Sequence, residues 1–100
     1  MFEDIWRWAH DVGERIKQKD EDLLRKLIIH IRGEETPGRF LEKLSSMLCE
    51  YKTNKNIGVN VSIKPELVKI KWHGDKFYYM KSAILAGLIN ALVKEEKKNE

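Results

Sequence analysis

The residues that could do chemistry in this chain are few: three histidines, one cysteine, and lysines concentrated in its middle. His10 and Asp11 are neighbours, as in an acid–base pair, but adjacent helical residues project in different directions and read as two solvated polar groups. His30 and Glu34 have the four-residue spacing of a helical metal site, yet Gly33 stops the helix between them and no third ligand is near. His73 falls at a predicted turn, where a polar residue needs no function. Cys49 lies just off the apolar face of a helix and reads as a small buried hydrophobe. The chain has no glycine-rich phosphate loop, no clustered Cys/His set and no nucleophile elbow. These absences exclude no enzyme outright, but they point to a non-enzymatic protein that needs no cofactor, metal or small-molecule substrate.

The charge distribution is more informative. Residues 1–35 carry seven Lys/Arg against nine Asp/Glu, residues 36–81 carry nine against four, and residues 82–100 carry three of each. The positive excess in the middle favours a polyanionic partner. Lys69, Lys71, Lys76 and Lys81 fall there with Tyr78 among them, and Arg39 and Lys43 precede them on a helix. Ammonium groups neutralise phosphates, and an exposed aromatic ring stacks on a base. These seven residues are the expected contacts to DNA or RNA.

Positioning them calls for a sheet. At residues 57–63 the odd positions Ile57, Val59, Val61 and Ile63 are apolar and the even ones small or polar, the two-residue period of a half-buried strand. Pro65 suits a turn, and Gly74-Asp75 suits a tight hairpin between the run ending at His73 and the run starting at Lys76. In that register Val68, Ile70, Trp72, Phe77 and Tyr79 face inward with the first strand's apolar set. Lys69, Lys71, His73, Tyr78 and Met80 face outward. The expectation is a three-stranded antiparallel meander over about 57–80.

Helices surround it. Phe2, Ile5, Trp6, Ala9, Val12 and Ile16 recur with helical spacing over 2–17, and Trp8 falls off that stripe. Acids at 20–22 open a second helix with Leu23, Leu24, Leu27, Ile28 and Ile31 on one face. Thr36-Pro37 opens a third, lined by Phe40, Leu44, Met47, Leu48 and Tyr51. Ser82 opens a last helix, 82–94, with the large residues Ile84, Leu85, Leu88, Ile89, Leu92 and Val93 on one half and Ala83, Ala86, Gly87, Asn90 and Ala91 on the other. The large half is expected on the sheet. The small half, through Ala83, Gly87 and Asn90 together with the spare Trp8, is expected to receive a second helix, from this chain or from a partner.

The whole reads as an α+β fold in one domain of 100 residues: a helical part at 1–52, the sheet at 57–80, the helix at 82–94 and a charged tail at 95–100. The order of helices and hairpin resembles that of winged helix-turn-helix proteins, which implies helix 37–51 in a DNA groove. The long 33–37 connection and the mixed charge of Arg39, Glu42, Lys43, Ser46 and Glu50 depart from that pattern. A single cysteine and an acid-bearing N-terminus suggest a reducing, cytoplasmic setting. A Lys/Glu/Ile-rich make-up with one glutamine leans towards a thermophile. The apolar run 83–93 is too short to span a bilayer. Two functions follow: nucleic-acid binding through a basic sheet face, or an oligomerising interaction protein, such as a small subunit of a nucleoprotein assembly, with the last helix at the interface.

Overall fold

In a computed structural model the described residues are 2–57 and 75–94, and they form four helices: α1 (Phe2–Lys19), α2 (Glu21–Arg32), α3 (Pro37–Asn54) and α4 (Asp75–Val93). The first three arise where their periodicity places them. The α1 helix ends where the Asp20 amide donates to the Ile16 carbonyl, 2.9 Å. Asp20 then caps α2, its carboxylate accepting from the Asp22 amide at 3.0 Å. Gly33 ends α2, and Pro37 opens α3 with the Phe40 amide bonded to the Thr36 carbonyl. At its far end Asn56 takes a left-handed conformation (φ 51°), which asparagine tolerates better than most residues. That turn returns the Ile57 amide to the Tyr51 carbonyl, 3.1 Å, and seats the Ile57 side chain in the core.

The expected α+β class is not what forms. The third strand and its hairpin are replaced by the first two turns of α4, which begins at Asp75 rather than at Ser82. Among the described residues there is no strand. Without its third strand the three-stranded meander is lost, and the first two proposed strands fall at residues 57–73, of which 58–73 lie outside the described residues. The physical reason is visible in the burial. Phe77, Met80, Ile84, Leu88 and Ala91 follow one another at three- and four-residue steps along the covered side of α4. Met80, expected to face outward, is fully buried, while Tyr79, expected inward, is exposed. Aromatic residues favour strands only weakly, and continuity with a long apolar helix outweighs that preference.

One core joins the four helices. Ile5, Ala9, Val12 and Ile16 of α1 meet Leu24, Leu27 and Ile31 of α2, Phe40, Leu44 and Leu48 of α3, and Met80, Ile84 and Leu88 of α4. The α1 and α4 helices run in the same direction and share the most extensive helix–helix contact among the described residues. Their approach depends on two glycines. A Cβ on Gly87 would lie 2.5 Å from the Trp6 carbonyl oxygen and 2.9 Å from Ala9 Cβ, and one on Gly13 would lie 2.8 Å from Ala91 Cβ. At the C-terminal end of α4, the Lys17 ammonium donates to the carbonyls of Ala91, Leu92 and Lys94 at 3.2, 3.0 and 2.6 Å. A cation there satisfies carbonyls that have no helical partner.

Candidate interaction surface

The buried half of α4 turns towards its small residues as well as its large ones. Gly87 and Ala91 go against α1, whereas Ile89 and Val93, expected in the core, stay outside. What remains exposed on α4 after Lys76 is Tyr78, Tyr79, Ser82, Ala86, Ile89, Asn90 and Val93. No charged side chain interrupts this face over four turns, in a chain whose residues are 35% charged. Tyr78 is 66% exposed, Tyr79 54%, Ile89 44% and Val93 65%. The two tyrosine rings meet edge to face, centroids 5.7 Å apart, and form one aromatic end of the face. Helices apolar on all sides are normally covered on all sides. The face also has the composition of an interface core, enriched in tyrosine and depleted in charge.

The residues predicted to form a protein interface do not act together. Gly87 is filled by α1 of its own chain, Trp8 is buried in the core at 7% exposure, and Ala83 is half-buried. Asn90 alone of the four lies openly on the outer face. Sequence reasoning placed Tyr78 outward but on a strand and against nucleic acid, and it missed Tyr79, Ile89 and Val93 because it turned the first inward on that strand and the two aliphatics into the core. The signal that could have found them is the pairing of Gly13 and Ala9 with Gly87 and Ala91, which marks a close helix crossing and so fixes which side of α4 is turned away.

The seven predicted nucleic-acid contacts are also dispersed. Lys69 and Lys71 lie outside the described residues. On a helix the side chains of Lys76 and Tyr78 project to opposite sides, about 200° apart, instead of sharing a strand face. Lys43 and Lys81 converge on Glu34: the Lys43 ammonium pairs with its carboxylate, and the Lys81 ammonium donates to its backbone carbonyl. Lys81 also lies 5.9 Å from the centroid of the Phe77 ring, which packs edge-on against Phe40. The Lys43 hydrogen bond holds the Glu34 carboxyl below the usual glutamate range. Two of the six cations thus fasten the α2–α3 connection to α3 and α4. Arg39 and Lys76 are exposed in the first turns of α3 and α4.

Of the candidate chemical groups, His73 lies outside the described residues, and His10 is held by its neighbours. The His10 ring stacks on Trp6 at 5.0 Å, with Nε2 3.2 Å from Glu14 Oε1 and Nδ1 3.8 Å from Asp11 Oδ1. Glu14 also accepts from the Lys94 ammonium at 3.0 Å, a bond that lowers its carboxyl pKa despite partial desolvation. A shallow groove runs beside these groups over Asp11, Glu14, Arg15 and Gln18. His30 is exposed beyond reach of a ligand set, and among the described residues no group of three His, Cys, Asp or Glu could hold a metal. Cys49, expected to be buried, is exposed on α3. No helix among the described residues is long and apolar enough to cross a membrane.

Comparison with protein-family models, with curated proteins and with solved structures finds no match to the chain.

Proposed function

We propose that this protein is a non-enzymatic interaction module, a small helical subunit that docks through the outer face of α4. The observation that carries the reading is the uncharged exposed face that runs over four turns from Tyr78 and Tyr79 through Ala86 to Ile89 and Val93, on a helix whose other side packs into the core. Water solvates such a face poorly, and covering it removes apolar area at about 25 cal/mol per Å². Exposed apolar patches of this kind mark association sites. The test compares proteins retained by the wild-type chain with those retained by Tyr79→Glu/Ile89→Glu and by a control pair on another face, Arg25→Glu/Lys26→Glu. Loss of a partner with the first pair and not the second supports the reading; identical retention by all three overturns it.

Nucleic acid remains a second reading, supported by the basic middle of the sequence and by Arg39 and Lys76, exposed at the positive ends of two helices. The edge-on contact of the Phe40 and Phe77 rings brings these two first turns near each other. A salt titration of DNA and RNA binding decides it. Contact through these cations gives a log–log slope that falls by ~0.9 for each phosphate contact removed in Arg39→Glu/Lys76→Glu or in Lys69→Glu/Lys71→Glu.

A further inference from the structure

We infer that the partner seated on the outer face of α4 is a second copy of the chain, with the two α4 helices antiparallel and crossing at Ala86. The inference rests on the docking reading above and adds the identity of the occupant. Its first support is the order of residues along the face. A two-fold axis at Ala86 sets each position opposite the one equally far on the other side, as an isologous interface requires. Tyr79 then stands level with Val93 of the second copy, Ser82 with Asn90 and Ala86 with itself, while at the rim Tyr78 stands level with Lys94. Large residues meet small or aliphatic ones, and the two polar side chains meet each other, with a hydroxyl and an amide able to exchange hydrogen bonds. Parallel pairing would stack tyrosine on tyrosine and asparagine on asparagine and leave Ile89 against Ile89.

The second support is charge. The centre of the face has none, and a second α4 matches it there without a desolvated ion, while the Lys94 ammonium stays at the rim with Glu14. Ala86 at the crossing leaves room for close approach, as Gly13 and Gly87 do inside the chain.

The third is area. At the exposures of Tyr78, Tyr79, Ile89 and Val93, and roughly 200 Å² for each large residue, the four offer about 450 Å² per chain. Two copies with Ser82, Ala86 and Asn90 included can bury at most roughly 1,000–1,200 Å², the low end for a specific interface. The expected complex is a weak, reversible dimer rather than an obligate one.

Sedimentation equilibrium of the full chain from micromolar to about 1 mM should show monomer–dimer exchange, weakened at least ~tenfold in Ile89→Glu. In a Cys49→Ser background, Ala86→Cys should form an intermolecular disulfide under mild oxidation. A mixture of Tyr79→Cys and Val93→Cys chains should cross-link to each other faster than either to itself. Tyr79–Tyr79 cross-links in excess would overturn the antiparallel arrangement. A chain that stays monomeric throughout, with no Ala86 cross-link, would overturn the second copy as occupant. If Tyr79→Glu/Ile89→Glu still releases a captured protein in that case, the docking face stands and only its occupant is wrong. Circular dichroism melts confirm that the variants fold, as substitutions on an exposed face should.

Discussion

Gly87 in α4 lies against the backbone of Trp6 in α1, so close that a methyl group on it would sit 2.5 Å from the Trp6 carbonyl oxygen. An oxygen of rigid helical backbone cannot give way as a flexible side chain can. Alanine is ordinarily the better helix former by about 1 kcal/mol. Here the collision reverses that preference, and Gly87→Ala should destabilise by roughly 1–3 kcal/mol, as overpacked cores do. Gly13→Ala should follow it, since its Cβ would press on Ala91 Cβ at 2.8 Å. Gly33→Ala and Gly38→Ala meet nothing within 4 Å and should be neutral or stabilising by a few tenths to ~1 kcal/mol. Urea unfolding of the four variants checks the pattern, and equal effects at all four positions would contradict the close crossing.

Lys17 ties the end of α4 to α1 by bonding two of its last carbonyls and that of Lys94 just beyond it. Replacing it with methionine keeps the aliphatic stem and removes the ammonium. The expected loss is ~1–2 kcal/mol, with faster hydrogen exchange confined to the last turn of α4. Exchange rates unchanged in that turn would show that the cap contributes nothing to its order.

Tyr51 gives the protein a specific alkaline sensitivity. Its hydroxyl donates to the Leu23 carbonyl at 2.7 Å, and burial pushes its pKa up to about 12 from 10.0. A folded-state pKa above the unfolded one means that the stabilisation is fully present below about pH 10 and is lost as pH rises through about 12. Tyr51→Phe should cost ~1 kcal/mol at neutral pH through the lost hydrogen bond. Between pH 10 and 12 it should lose less stability than the wild type, because no phenol remains to ionise. Comparing the two chains removes the shared contribution of lysine deprotonation. Parallel pH profiles would contradict the prediction.

Three of the four helices were legible because their apolar residues keep one period and their ends carry chemical punctuation: Asp20, Gly33 and Thr36-Pro37. The start of α4 was not, because Lys76–Lys81 alternates well enough to pass for a strand and is rich in aromatic residues. Only its continuation through Ile84, Leu88 and Ala91 shows that Phe77 and Met80 belong to a helical stripe. The error carried into the site. Period two gathers Lys76 and Tyr78 on one face, and period 3.6 separates them. It also hid the α4 surface, since which side of a nearly all-apolar helix faces water depends on what packs against it. The Gly13–Ala91 and Gly87–Ala9 contacts decide that, and they join residues more than seventy positions apart.

Glu34 is the fastening point where Lys43 from α3 and Lys81 from α4 meet the α2–α3 connection. The Lys43 bond lowers the Glu34 carboxyl pKa, so its contribution is present above the unfolded value of 4.5 and is lost as pH falls through the lower folded value. Glu34→Gln should therefore lower the melting temperature at pH 7 and not at pH values where Glu34 is already protonated, and added salt should shrink the difference. Lys81→Met acts through the backbone carbonyl instead, so its effect should persist in acid. Both variants showing the same pH dependence would mean that Lys81 works through the Glu34 carboxylate rather than through its carbonyl.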